Sequence, residues 1–206
     1  MRNGLKPQLR KYLIMGSQDC HREPEKVLQE AIDAGITVFQ YREKGPGSLT
    51  GHEKIELGKR LRNICKLHDI LFIVNDDIDL IEPLQVDGIH VGQEDTAVED
   101  IGKQFPQIYI GLSVSTIEEV EKSPIELVDY LGAGPIYETP TKPGQKPSGL
   151  KWLKDIKELY PNLPIVAIGG IHPHNAQTVM EAGADGLAVI SAITKSEEIH
   201  QAVARL

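Results

Sequence analysis

Short apolar runs alternate along this chain with longer stretches in which apolar and polar residues recur at helical spacing. The runs are four or five residues long and rich in Val, Ile and Leu, which is typical of strands that are covered on both faces. Eight of them are predicted to be buried strands, over residues 12–15, 38–41, 71–74, 88–91, 108–112, 127–131, 165–168 and 186–190.

The intervening stretches predict helices. Pro24 stands at a favourable first helical position and Gly35 just past the end of the same stretch, while Gly183 closes a later one in the same way. The predicted helices cover residues 24–34, 50–68, 78–84, 98–103, 117–122, 150–159, 175–182 and 196–205.

Eight strand–helix units in tandem require a parallel sheet, and eight strands close naturally into a barrel. We therefore predict an α/β fold, a single-domain (β/α)8 TIM barrel over residues 1–206, near the lower limit of about 200 residues for this architecture. The alternative is a doubly wound open sheet. It would favour a G-x-G-x-x-G phosphate loop after the first strand, where this chain has Gly16-Ser17-Gln18-Asp19.

The composition of the chain argues against some classes of function. The net charge of −8 argues against general binding to nucleic acids or anionic membranes, which requires a basic face. The chain shows no signal peptide and no apolar run of about 20 residues. Its two cysteines, Cys20 and Cys65, lack the spacing of metal-binding or redox motifs, so we expect a cytoplasmic protein. We expect its partners to be small molecules. A homo-oligomer is left open.

Polar side chains or glycines follow the second to eighth predicted strands. Because active sites of such barrels lie at the C-terminal ends of the strands, these residues are the site candidates. In chain order they are Gln40, Tyr41, Arg42, Glu43, Lys44, Asn75, Asp76, Asp77, Gln93, Glu94, Asp95, Ser113, Thr139, Thr141, Lys142, Gly169, Gly170 and Ser191.

Two of the candidates predict a metal site. Asp76 and Asp95 follow neighbouring strands, which lie about 4.8 Å apart in a sheet. A pair of carboxylates without histidine or cysteine suits Mg²⁺, which is usually shared with substrate phosphates. The alternative is that these acids begin helices, and this alternative is stronger for Asp77 and Glu94.

Two further features predict phosphate binding. Gln40, Arg42 and Lys44 alternate, so they are expected to share a face toward the mouth, unless the two cations only balance Glu43. Gly169-Gly170 follows the seventh strand, where barrels commonly bind phosphate, although such a pair also marks tight turns.

The segment 138–149 (ETPTKPGQKPSG) follows the sixth strand and has no large apolar side chain. It is expected to be either a plain surface loop or a mobile lid. The histidines give no catalytic set: His90 is expected to be packed or to face the lumen, while His172 and His174 fall in a loop.

Seven segments, in this order at successive strand ends, resemble the thiamine-phosphate synthases: 40–44 (QYREK), 75–77 (NDD), 87–95 (DGIHVGQED), 111–113 (GLS), 129–142 (DYLGAGPIYETPTK), 166–171 (VAIGGI) and 183–193 (GADGLAVISAI). The resemblance implies a Mg²⁺-dependent transferase that joins an aminopyrimidine diphosphate to a thiazole phosphate, giving thiamine phosphate and pyrophosphate. It also implies roles for individual residues. Arg42, Lys44, Ser113 and Lys142 would be catalytic, and Asp76 and Asp95 would bind the metal. Substrate would contact residues 40–44, Asn75, Ser113, Thr139, Pro140, Thr141, Lys142, Gly169, Ile190 and Ser191.

The chain departs from the family pattern at two places. Tyr41 replaces a commoner Leu or Phe, and its side chain is expected to point away from the mouth. Ser115 stands where relatives often have His, which disfavours a thiazole tautomerase on the same scaffold. A non-catalytic phosphate-binding barrel would lose Asp76, Asp95 or Lys142, and a Schiff-base aldolase would require a lysine within a strand, which none of the predicted strands contains.

Overall fold

Each strand of the computed structural model runs parallel to the next one along the chain, and the eighth pairs with the first. The structure describes residues 4–139 and 146–206. The strands are β1 (Lys11–Met15), β2 (Val38–Tyr41), β3 (Leu71–Asn75), β4 (Gly88–Val91), β5 (Tyr109–Val114), β6 (Tyr130–Ala133), β7 (Ile165–Ile168) and β8 (Gly186–Val189). This closed barrel confirms the predicted (β/α)8 fold and excludes the open sheet. That residues 1–206 form one domain stays a prediction.

Helices precede, connect and follow the strands. They are α1 (Leu5–Gln8), α2 (Pro24–Asp33), α3 (Gly51–Leu67), α4 (Ile81–Leu84), α5 (Val98–Gln104), α6 (Ile117–Lys122), α7 (Gly149–Leu159), α8 (Ala176–Glu181), α9 (Ser191–Thr194) and α10 (Ile199–Ala204). Short 3-10 turns cover Ser17–Asp19, Ile78–Leu80 and Ile125–Leu127. No helix in the described ranges is long and apolar enough to span a membrane.

The sequence-based boundary of the sixth strand was wrong. Residues 125–127 form a 3-10 turn, and β6 begins later, at Tyr130. Two four-residue helices, α1 and α9, were also missed because they are shorter than a periodic pattern can indicate. β1 begins at Lys11, one residue earlier than predicted, so one strand does contain a lysine. This lysine lies at the N-terminal end of the barrel, where its Nζ donates to the Val203 carbonyl at 2.6 Å.

Side chains alternate between two apolar layers. Tyr12 and Ile14 belong to the inner cluster that fills the barrel, whereas Leu13 and Met15 belong to the larger layer between strands and helices. Leu5 and Leu9, from α1 and the residue after it, join the inner cluster. The period of two along each strand therefore decides which residues can reach the lumen and the mouth.

A polar residue precedes every even-numbered strand and accepts the backbone N–H of a residue in the strand before it. The donor–acceptor pairs are Lys11 N to Thr37 Oγ1 at 3.0 Å, Phe72 N to Asp87 Oδ2 at 2.8 Å, Ile110 N to Asp129 Oδ2 at 2.9 Å and Ile165 N to Asp185 Oδ2 at 2.9 Å. These side chains satisfy backbone donors at the start of β1, β3, β5 and β7. They stabilise the end of the barrel opposite the mouth and leave the C-terminal strand ends to the site.

Candidate active site

A cluster of one lysine and two aspartates lies where β2, β3 and β4 end. Lys44 Nζ donates to the Asp76 carboxylate, and the Asp95 carboxyl lies within hydrogen-bonding reach of Asp76. Asp95 is held by the backbone, since its Oδ2 accepts the N–H of Gly92 at 2.7 Å. The structure thus brings together two predicted metal ligands and one predicted phosphate ligand.

Asp76 is in an unfavourable position for a charged group. Burial raises the pKa of its carboxyl and the neighbouring Asp95 raises it further, while Lys44 lowers it without restoring the ordinary value. Its φ is +59°, a left-handed conformation that non-glycine residues seldom adopt. Perturbed acids and strained backbone both concentrate at functional sites, so Asp76 is a strong candidate for a functional carboxylate.

Asp77 is a structural residue. Its side chain begins the 3-10 turn at Ile78 by accepting the N–H of Asp79 at 3.1 Å, and it forms an ion pair with Lys54 at 2.7 Å. The alternative that this acid begins a helical turn is confirmed.

Gln40, Arg42 and Lys44 were expected to share one face toward the mouth, and the structure places their side chains in different surroundings. Gln40 is buried inside the barrel, where its Nε2 donates to the Tyr12 hydroxyl at 2.8 Å. Tyr41 points outward as expected, and its hydroxyl donates to the Lys54 carbonyl, so the structure does not place this side chain at the mouth as a substrate contact. The alternation ends where β2 ends, at Tyr41.

Glu43 supports the site from behind rather than contacting the mouth. Its carboxylate accepts the Ser17 hydroxyl at 2.9 Å and the Leu49 N–H at 2.8 Å, so it joins the loops after β1 and β2. Lys44 therefore does not serve to balance Glu43, because its partner is Asp76. Arg42 is half-buried and lies near Asp19, where its charge opposes the effect of burial, which raises the pKa of that carboxyl.

The ends of β3, β4 and β5 are joined by register and by hydrogen bonds. Asn75 is in register with His90, and His90 Nε2 lies 2.8 Å from Ser113 Oγ. Gln93 donates to the Ser113 carbonyl at 2.8 Å, which connects the loop after β4 to the end of β5. Ser113 is thus fixed through both its backbone and its side chain.

A cavity of about 660 Å³ opens where β6, β7 and β8 end. Its walls include four predicted ligands, namely Thr139, Gly169, Ile190 and Ser191. A cavity of this size and mostly apolar lining is typical of a small-molecule site.

Gly169 and Gly170 form the wall of this cavity in left-handed conformations, with φ of +97° and +66°. A Cβ at Gly169 would lie 2.5 Å from the Cβ of Pro135, so only glycine fits. Asn175, which the sequence reasoning missed, holds the turn: its Nδ2 donates to the Gly170 carbonyl and its Oδ1 accepts the His172 N–H, both at 2.9 Å. An asparagine at the start of the predicted helix was the available signal.

Three predicted substrate ligands, Pro140, Thr141 and Lys142, lie outside the described residues, as do residues 140–145 of the predicted loop or lid. Within ranges 4–139 and 146–206, no three His, Cys, Asp or Glu side chains converge on one point. The predicted metal site therefore consists of two carboxylates and depends on other oxygen ligands. His172 lines the cavity rim and His174 lies beside it, with ring centroids 5.8 Å apart.

Comparison with known proteins gives a consistent assignment. A sequence model described as thiamine monophosphate synthase matches residues 11–193. A thiamine-phosphate synthase from Oceanobacillus iheyensis is 56% identical over 202 residues, covering 98% of each chain. Among solved structures, a thiamine phosphate pyrophosphorylase from Pyrococcus furiosus superposes with a TM-score of 0.88 at 34% identity, covering 98% of this chain and 96% of that one.

A more distant structure, a thiamine phosphate pyrophosphorylase from Bacteroides thetaiotaomicron, matches with a TM-score of 0.64 at 17% identity over 95% of this chain and 94% of that one. At this identity the match supports the barrel fold alone. The family match and the first two relatives confirm the family that the strand-end segments predicted. This chain belongs to the thiamine monophosphate synthase family.

Proposed function

We propose that this protein catalyses the condensation of an aminopyrimidine diphosphate with a thiazole phosphate, giving thiamine phosphate and pyrophosphate. The observation that carries the proposal is the division of the mouth into two halves. The ends of β2–β4 supply a cationic and carboxylate cluster around Lys44 and Asp76. The ends of β6–β8 supply an apolar cavity with a glycine turn. The two halves suit a diphosphate and a phosphorylated heterocycle, respectively.

The reaction requires little acid–base chemistry from the protein. The bond between the pyrimidine methylene carbon and the diphosphate oxygen breaks, and its electron pair leaves with pyrophosphate. The thiazole nitrogen then forms the new C–N bond with its lone pair, and CO2 is also lost when the thiazole carries a carboxylate. The main requirement is stabilisation of the charge on the leaving group, for which fixed cations are suited.

Lys44 and Arg42 hold the diphosphate. Lys44 already lies at the mouth beside Asp76, with about half of its side chain exposed. Arg42 follows β2 directly and offers a planar, two-pronged donor set that matches phosphate oxygens. Lys142 adds a third cation in the substrate complex, and Asn75 and Ser113 bind the same substrate.

Asp76 and Asp95 would hold Mg²⁺. The residues fit the ion, because burial and the adjacent Asp95 carboxylate raise the pKa of Asp76, and a divalent cation would relieve the repulsion between the two carboxylates. Two carboxylates plus substrate phosphate oxygens form a common Mg²⁺ site. When bound, the ion would neutralise charge on the departing pyrophosphate.

The cavity between β6 and β8 holds the thiazole phosphate. Gly169 and Gly170 leave the backbone open for close approach of an anion, and Ser191 and Thr139 provide hydroxyls in the same wall. We assign Gly169, Ile190, Ser191 and residues 139–141 to the thiazole side of the site.

The two alternative functions are not favoured. A thiazole tautomerase would need only the thiazole side, yet Lys44, Asp76 and Asp95 lie together on the other side. A non-catalytic phosphate-binding barrel has the same difficulty. A cytoplasmic location suits the two cysteines, which are both free thiols.

The direct experiment is product analysis with the purified full chain. Given both substrates and Mg²⁺, the protein should convert them to thiamine phosphate and pyrophosphate in equal amounts. Isomerisation of the thiazole phosphate alone, with no condensation, would replace this proposal with the tautomerase. Binding of the thiazole phosphate without any turnover would indicate a binding protein.

A further inference from the structure

A continuous chain of hydrogen bonds crosses the barrel lumen beneath the proposed active site. Gln40 Nε2 donates to the Tyr12 hydroxyl at 2.8 Å, and this hydroxyl lies 2.8 Å from that of Tyr130. The Tyr130 hydroxyl lies 3.1 Å from His90 Nδ1, and His90 Nε2 lies 2.8 Å from Ser113 Oγ. The chain of hydrogen bonds therefore joins Ser113, which is assigned to the pyrimidine diphosphate, to Gln40, a predicted substrate contact, through three residues that have no assigned role.

The donor at one end favours one direction for the bonds that follow. With Gln40 donating to the Tyr12 oxygen, the direction that gives the Tyr12 proton an acceptor among these residues has Tyr12 donate to Tyr130 and Tyr130 donate to His90 Nδ1. A neutral imidazole that accepts at Nδ1 carries its proton on Nε2 and donates it to Ser113 Oγ. The Ser113 proton is then available to an acceptor outside the lumen.

We propose that Tyr130 and His90 are positioning residues, which hold the Ser113 hydroxyl as a hydrogen-bond donor to the pyrimidine diphosphate. This inference rests on the proposed function, because it takes the pyrimidine diphosphate as the ligand at Ser113. Its first part, the direction of the chain, is a property of the protein without substrate. The two parts can therefore be tested separately.

The residues around this chain of hydrogen bonds leave room for it and bury it. Tyr130 is 1% exposed and His90 is 9% exposed. A Cβ at Gly111 would lie 2.2 Å from the Tyr130 ring, and a Cβ at Gly132 would lie 2.6 Å from the His90 ring, so glycines on β5 and β6 make the room. Buried polar groups retained at such positions need full hydrogen bonding, which the chain supplies.

The tyrosines keep their protons. Burial raises the pKa of both Tyr12 and Tyr130 well above the ordinary value. Each phenol therefore has one proton to donate and one oxygen to accept, as the direction of the chain requires.

The direction is tested by ¹⁵N NMR of histidine-labelled full chain without substrate, near neutral pH. The His90 ring, assigned by its response to Ser113→Ala, should show a protonated Nε2 and an unprotonated Nδ1. Tyr130→Phe removes the donor to Nδ1 and should give a mixture of the two neutral forms. A ring protonated at Nδ1 in the unsubstituted protein would reverse the direction and overturn the inference, whether or not the enzyme is a synthase.

The consequence for binding is tested by steady-state kinetics. Tyr130→Phe should raise KM for the pyrimidine diphosphate by about 3- to 10-fold, the effect of one misdirected hydrogen bond, and leave KM for the thiazole phosphate unchanged. Tyr160→Phe, on the outer side at the end of α7, is the matched control and should change neither constant. Equal effects on both substrates would indicate a general packing defect and overturn the positioning role.

A second variant tests the same inference if Tyr130→Phe does not fold. Tyr12→Phe separates Gln40 from the rest of the chain, so the direction is no longer enforced although Tyr130 can still donate to His90. It should give a partial mixture of His90 forms and a smaller rise in the same KM. An unchanged His90 ring together with an unchanged KM would contradict the inference.

Discussion

Lys44 and Asp76 form an ion pair across the ends of β2 and β3, and Asp95 brings a second carboxylate to the same place from β4. One cation does not compensate fully for the cluster, since the pKa of Asp76 stays raised by burial and by Asp95. In the proposed substrate complex, Mg²⁺ and a diphosphate are added together, and their charges complete the cluster. The site without ligands is therefore suited to bind a metal ion and an anion together.

Asp76→Asn is expected to reduce condensation by at least about 100-fold, because it removes a charged metal ligand. Asparagine tolerates the left-handed φ of +59°, so the backbone should not change. The rate should be measured as pyrophosphate release at saturating substrates. Asp77→Asn is the matched control: this neighbour pairs with Lys54 and begins a turn, and the variant should keep most of its activity.

The same substitution should raise stability. In the folded protein the pKa of Asp76 is raised, first by burial and then by Asp95. A carboxyl whose pKa is raised in the folded protein binds its proton more tightly there than in the unfolded chain. Its ionisation therefore destabilises the folded protein at pH values above the pKa of the unfolded state, which is about 3.9. Asp76→Asn should therefore have a higher free energy of unfolding than the parent at pH 7, and this gain should shrink as the pH falls toward 4. A loss of stability at pH 7 would indicate that the Lys44 ion pair outweighs the repulsion.

Asp185, at the opposite end of the barrel, should show the reverse dependence. Burial alone would raise the pKa of its carboxyl, but Lys157, Lys6 and the Ile165 N–H lower it below the ordinary value. A lowered pKa stabilises the fold above the unfolded pKa, and this stabilisation is lost as the pH falls through the folded pKa. Asp185→Asn should cost about 2 kcal/mol at pH 7, and less near pH 3, without changing KM for either substrate. Urea unfolding at both pH values measures the difference, and a constant loss would exclude the charge as its source.

Gly169→Ala tests the glycine turn as part of the thiazole site. The added Cβ meets Pro135 at 2.5 Å and requires a φ of +97°, so the turn should move and KM for the thiazole phosphate should rise by about tenfold or more. Gly35→Ala is the control, because Gly35 has nearly the same φ, +99°, but open space around the added Cβ. It should lose stability only. If both variants bind the thiazole phosphate as the parent does, the turn does not form its site.

Gly132→Ala tests whether the lumen is filled to its limit. Overpacking against the His90 ring should destabilise the protein by about 1–3 kcal/mol. Gly102→Ala, inside α5 with its nearest neighbour at 3.9 Å, should instead stabilise it by up to about 1 kcal/mol. Thermal unfolding of the two variants and of the parent protein measures these changes in stability. Equal effects would mean that the lumen can relax around the extra methyl group.

The sequence predicted the fold well because buried parallel strands leave a clear apolar signal. It failed at β6 for a physical reason. The true strand ends in Gly132 and Ala133, of which Gly132 lies against the His90 ring, and these small residues give a weaker apolar signal than Leu127 and Val128 before the strand. Room for a buried polar side chain thus weakens the apolar pattern that identifies a strand.

The site was predicted as a set of strand ends, but the direction of its side chains was predicted only in part. Lys44, Asp76 and Asp95 lie together as expected, whereas Gln40 faces the lumen and Glu43 supports a neighbouring loop. A period of two distinguishes alternate residues, yet it does not say which set faces inward. The roles of His90 and Asn175 depend on partners from other strands or on loop geometry, neither of which is visible in one sequence.

The most direct test of the central claim is pyrophosphate release by the purified protein, measured with each substrate alone and with both, in Mg²⁺ and then in EDTA. The proposed function predicts release only when both substrates and the metal are present, and its loss in Asp76→Asn. Release from the pyrimidine diphosphate alone, or undiminished release in EDTA, would contradict a metal-dependent condensation at this site.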